Sequence, residues 1–112
     1  MIQERLSSSV VSVSDDDDQV QPPIVRPHFM LQYSYVEDVE VKRAPHRASH
    51  LGLASQYKRD GRLVMGGAYS DMSGGVAVFR TREDAQAFVD SDPYVKNGIV
   101  TKHMIQEWSV VV

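Results

Sequence analysis

The sequence predicts one α+β domain whose elements run β-α-β-β-α-β, and three observations carry that expectation. "HFMLQYSYV" (28–36) alternates Phe29, Leu31, Tyr33 and Tyr35 with Met30, Gln32, Ser34 and Val36, the period-2 pattern of a strand. Two stretches, 44–61 and 81–91, carry apolar residues at helical spacing. "IVTKHMIQEWSVVV" (99–112) reads as a long closing strand. Two helices on one face of a four-stranded antiparallel sheet in this order make a ferredoxin-like, split βαβ arrangement.

The first strand leads into "APHRASHLGLASQYKRDG". Pro45 suits a first helical turn, where its missing N–H leaves nothing unpaired. His50, Leu53, Ala54 and Tyr57 follow at i, i+3, i+4 and i+7, on one face. Gly61 can close the helix as a left-handed cap behind Lys58 and Arg59, whose charges suit its negative end. "RLVMGGAYS" (62–70), the turn "DMSGG" and "VAVFR" (76–80) read as a hairpin. Thr81 is placed to cap the second helix, with Asp84 three positions on in the manner of a capping box, and Ala85, Phe88 and Val89 form its inner stripe. "DPYVKNG" (92–98) adds a short helical turn with Asp92 as its cap and Pro93 next.

Residues 1–27 are expected to be a disordered acidic extension, and 28–112 the folded domain. "SSS", "DDDD" and "QVQPP" bury too little apolar area to offset the entropy of ordering them. The charge divides the same way. Residues 1–27 hold two basic and five acidic side chains, the whole of the net −3, and the remaining 85 residues hold ten of each. A body without excess positive charge is a poor match for nucleic acid. There is no cysteine, hence no disulfide framework and no sign of an oxidising compartment. No apolar run approaches the length of a membrane span, so a cytoplasmic protein is expected. The Ser-rich start has something of a targeting segment, but four consecutive aspartates argue against one.

Two helices cover one sheet face, yet the strands carry bulk on both. In the closing strand Ile99 and Ile105 fall on one side and Val100, Met104, Trp108 and Val110 on the other; Met30 and Val36 oppose the aromatics of the first. A sheet apolar on both faces needs a second cover, and a copy of itself is the economical one. A two-fold homodimer, sheet face to sheet face, is therefore expected.

The chemistry-bearing residues concentrate in "HRASH". His46 and His50 at i and i+4 can share a metal ion, but no third ligand accompanies them, and no metal site is expected. Ser49, Ser70, Ser73 and Ser91 lack a G-x-S-x-G setting, and the glycine pairs match no phosphate-binding loop. His50 shares a helix face with Leu53 and Ala54, so it should be partly buried. It is then either a hydrogen-bonded core histidine or, with an Asp to fix its tautomer, a proton-transfer group.

The run 47–69, "RASHLGLASQYKRDGRLVMGGAY", and the run 75–108, "GVAVFRTREDAQAFVDSDPYVKNGIVTKHMIQEW", resemble the YciI-like (YCII-related domain) family. The resemblance rests on R-x-x-H-L, a G-R-L strand opening, a Gly pair, an F-x-[ST]-x-E-x-A-x-x-F helix, D-P-Y and a terminal strand with Trp. It implies a ferredoxin-like fold dimerised through its sheets, of the dimeric α/β-barrel type. It also implies an active site made of the histidine of R-x-x-H-L and the aspartate of D-P-Y, here His50 and Asp92, with Arg47 one turn before. Two departures are visible: the acidic extension has no counterpart, and Gly67-Ala68 stands where Gly-Pro is common.

Two functions follow. In the first, His50 is general acid or base, Asp92 orients it, Arg47 holds an anionic or carbonyl oxygen, and Tyr69 or Tyr94 lines the pocket. The chemistry is proton transfer, as in elimination or isomerisation of a small organic acid or aromatic, and no redox cofactor is signalled. In the second, the chain is a non-catalytic dimeric ligand-binding or interaction module, and the His–Asp pair is structural.

Overall fold

The computed structural model describes residues 25–112. The expected extension lies outside them up to residue 24. Arg26 and Pro27, assigned to it from sequence, open the first strand. The elements are β1 (Arg26–Tyr35), α1 (Val39–Lys42), a 3-10 turn (Ala44–His46), α2 (Arg47–Arg59), β2 (Leu63–Ala68), β3 (Gly74–Phe79), α3 (Arg82–Ser91), α4 (Pro93–Lys96) and β4 (Val100–Val110). The sheet runs β2-β3-β1-β4, antiparallel throughout. The expected βαββαβ α+β fold is present, with α1 and α4 as single added turns.

Leu31 and Tyr33 of β1 point to the helices and are buried, and Phe29 and Tyr35 pack against the same core. The helices meet the sheet through aromatics. Tyr57 of α2, Phe88 of α3 and Phe79 of β3 contact one another with ring centroids 5.3–6.2 Å apart, near edge-on or tilted. Such contacts add to area burial because positive ring edges meet negative faces. Beside this cluster Arg62 lies over the Tyr57 ring at 4.0 Å and pairs with Asp84 at 2.8 Å, tying the start of β2 to α3.

Caps close the elements much as their residues suggest. Thr81 Oγ1 accepts from the Asp84 amide at 3.0 Å. The reciprocal half of a capping box is not made, because the Asp84 carboxylate accepts from Arg62 instead. Gly61 (φ 77°) and Gly98 (φ 74°) supply the left-handed turns that end α2 and α4.

Two bulges change what each strand presents. The β1–β4 register shifts between Ser34 and Tyr35, so Tyr35 faces Val100. Val100 therefore joins the helix-side core rather than the face with Met104 and Trp108, a correction to the strict alternation read from sequence. In β2 the shift lies between Leu63 and Met65. Leu63 points to the helices, Met65 to the opposite face, and Gly66 and Ala68 come under α2 opposite Ala77 and Gly75 of β3. The face away from the helices carries Met30, Val76, Val78, Met104 and Trp108, by the registers that pair Met30 with Val78, Gln32 with Val76 and Met104, and His28 with Trp108. Met65, Met104 and Trp108 are large apolar side chains left exposed there.

Candidate active site

α2 lies along the sheet with Arg47, His50, Leu51 and Ala54 facing a cavity of about 260 Å³. The cavity exists because its floor lacks side chains. Gly66 and Ala68 of β2 and Gly75 and Ala77 of β3 line it, whereas Leu31, Leu63 and Phe88 fill the space around it. Gly75 is irreplaceable on steric grounds: a Cβ there would lie 2.6 Å from the Gly67 carbonyl oxygen and 3.1 Å from the Tyr35 hydroxyl.

His50 Nδ1 lies 2.8 Å from Asp92 Oδ1. Asp92 is fully buried and accepts two further bonds, from the Tyr94 amide to Oδ1 at 3.0 Å and from the Tyr33 hydroxyl to Oδ2 at 2.8 Å. One carboxylate thus caps α4 and receives the imidazole. The Tyr94 amide can only donate. Burial, then the charge of Asp92, push the Tyr33 phenol far above its ordinary value, so it stays protonated and donates too. With Asp92 ionised, His50 Nδ1 must carry its proton, which leaves Nε2 as the ring's open nitrogen. Nε2 has no hydrogen-bond partner among the described residues. The imidazole stacks flat on the Tyr94 ring, centroids 3.7 Å apart and 3° from parallel, so its plane is held from below as well as from the side.

The structure brings together His50, Asp92, Arg47 and Tyr94. Tyr69 does not line the cavity: β2 ends one residue earlier, and Tyr69 sits exposed in the hairpin turn, its amide bonded to the Gly74 carbonyl. Tyr33, Tyr35 and Arg43 belong to the site and were not singled out from sequence. Tyr33 could have been found by its position on the inner face of β1; Arg43 lies in a segment with no readable period. His46 is half-buried at the start of α2, off the cavity. Among the described residues no three His, Cys, Asp or Glu side chains cluster as metal ligands, and no helix is long and apolar enough to cross a membrane.

Among solved structures the chain resembles 5-chloro-2-hydroxyhydroquinone dehydrochlorinase (TftG) of Burkholderia phenoliruptrix AC1100, in complex with 2,5-dihydroxybenzoquinone. The TM-score is 0.60 at 20% identity, covering 72% of this chain and 92% of the other. The likeness is one of fold. No curated protein matches in sequence. The family model described as YCII-related domain matches residues 28–109, from the third residue of β1 to the penultimate residue of β4. The chain belongs to the YCII-related domain family.

Proposed function

We propose that the chain is a small acid–base enzyme in which His50 Nε2 moves a proton to or from a single-ring organic substrate. One observation supports it above the others: an imidazole whose Nδ1 is held by a buried carboxylate, with its second nitrogen unpaired, on the wall of a cavity. In an elimination, Nε2 takes a proton from a substrate carbon. The C–H electron pair becomes the new double bond, and a leaving group departs from the neighbouring carbon with its bonding pair. Asp92 holds the tautomer and stabilises the imidazolium that forms, and the proton transfer by His50 contributes on the order of 10²–10⁴ in rate. The volume suits one substituted ring, since about 150 Å³ already accommodates benzene in a protein interior. The fold neighbour's complex with a dihydroxybenzoquinone makes hydroxylated quinones and phenols the first compounds to try.

The working unit in this reading is a homodimer, because the face bearing Met65, Met104 and Trp108 is too apolar to stand in water alone.

Deuterium exchange tests the chemistry without a known product. The protein should accelerate exchange of ring hydrogens in hydroxylated quinones in D₂O, and His50→Gln should abolish the acceleration. Binding of the same compounds with no acceleration would favour the non-catalytic module, in which the His50–Asp92–Tyr94 arrangement only holds α2 to α4.

A further inference from the structure

We propose that Arg43 and Arg47 form a two-guanidinium clamp that commits the cavity to a planar ring bearing an ionised oxygen, a phenolate, enolate or ring carboxylate. This names the substrate class of the proposed acid–base site and rests on that cavity being where substrate binds.

Both arginines line the cavity that His50 lines. The ion pairs within the described residues join His50 to Asp92 and Arg62 to Asp84, so neither Arg43 nor Arg47 is neutralised there. Arg43 is half-buried and Arg47 exposed at the rim of this small, largely apolar space, and an anion between two like charges relieves their mutual repulsion.

Their placement is built rather than incidental. Arg43 stands between two helical turns, its amide donating to the Val39 carbonyl and its carbonyl accepting from the His46 amide. Val39, buried in the core, anchors the first of those turns. Arg47 opens α2, one turn before His50 on the same face. The positive end of α2 is left open at the same rim: it has no acidic residue in its first turn and no side-chain cap. Both guanidinium charges reach the Tyr94 hydroxyl, where they oppose the upward push of burial, and Arg43 does the same at Tyr35. The negative charge of Asp92 sits behind the imidazole with three donors upon it, and it disfavours a negative oxygen at Tyr33, Tyr35 and Tyr94, so an anion in the cavity depends on the two guanidinium charges to offset it.

Planarity follows from the floor. Gly66, Ala68, Gly75 and Ala77 present peptide surface and methyl groups, against which the face of a ring can pack. The clamp would hold the ionised oxygen at the α2 start and present the ring carbons to His50. Arg43 is on this account a specificity-determining residue that no family motif read from the sequence includes.

Calorimetric titration tests the clamp by binding alone, so its outcome does not depend on whether His50 transfers protons. The probes are 2,5-dihydroxybenzoquinone, salicylate and 4-hydroxybenzoate, set against their uncharged methylated counterparts, the dimethyl ether of the quinone and the methyl esters of the two carboxylates. At least one acid is expected to bind about tenfold or more tightly than its methylated form, as befits charge-assisted hydrogen bonds. For that acid, Arg43→Met and Arg47→Met should each weaken binding by about tenfold, and Arg43→Lys, which keeps the charge without the planar fork, should restore only part of the loss. Unchanged thermal midpoints would show that the variants fold. Equal binding of every acid and its methylated form, no effect of Arg43→Met on the acid that does discriminate, or no binding of any acid at millimolar concentration would overturn the clamp. A protein that passes here and fails the deuterium exchange keeps the clamp and loses the acid–base reading.

Discussion

His50 and Asp92 stand 42 residues apart in the chain and meet at 2.8 Å, the imidazole partly exposed and the carboxylate completely buried. The asymmetry gives the pair a direction. Asp92 is locked from three sides, and His50 is the member that lines the cavity.

Asp92 combines a cap, a tautomer lock and the acceptor for Tyr33. Asp92→Ala removes all three and leaves the Tyr33 hydroxyl and His50 Nδ1 without their partner, so it should destabilise the fold by about 2–4 kcal/mol. Urea denaturation checks this. Asp92→Asn keeps the shape and offers one acceptor oxygen, so it should fold nearly as well while losing most of the proton-transfer rate.

Tyr33→Phe removes one donor to Asp92 and keeps the ring, and should cost about 1–2 kcal/mol. Its pH signature is more telling. Tyr33, Tyr35 and Tyr94 are all raised above the ordinary phenol value of 10.0 in the fold, chiefly by burial. Above that value the unfolded chain ionises and the folded one does not, so the unfolded state binds fewer protons and stability falls as pH rises. Stability should therefore be unaffected by these phenols below pH 10 and decline above it, with a shallower decline in Tyr33→Phe. Denaturation midpoints between pH 8 and 11 decide this.

The cavity is made by small residues, so filling it should separate binding from folding. Ala77→Leu places a branched side chain on the floor, facing α2. It should abolish ligand binding in calorimetry while the His50–Asp92 contact persists in NMR spectra. Binding unaffected by the filled floor would place the ligand elsewhere.

The sheet face away from the helices gives a prediction about assembly. Sedimentation at concentrations on the order of tens of micromolar should show a dimer, as an interface of standard size sustains. The pair Met104→Glu and Trp108→Glu should return it to monomer, because like charges then meet across the two-fold axis.

The order of elements was legible because β1 and α3 carry clean periods, and Gly61, Thr81 and Asp92 mark the end of α2, the start of α3 and the start of α4. The floor of the cavity was not. Gly66 and Ala68 come under α2 only because β2 bulges before Met65, and Val100 enters the core only because β4 bulges beside Ser34. A bulge is decided by what packs on the two faces, which strict alternation cannot register. Spacing alone left His50 between a core residue and a reactive one; the family pattern paired it with Asp92. Arg43 escaped notice because "VEDVEVKR" reads as neither strand nor helix, and only tertiary packing of Val39 folds it into a turn.

The central claim is that His50 is held with its proton on Nδ1 and presents Nε2 to a bound molecule. Long-range ¹⁵N–¹H correlation spectra of the histidine ring test it most directly, with and without a saturating hydroxylated quinone. The account predicts the Nδ1–H tautomer for neutral His50 in the free protein, its loss in Asp92→Ala, and a large change of the Nε2 resonance when the ligand binds. An Nε2–H tautomer, or an Nε2 signal indifferent to a saturating ligand, would contradict it.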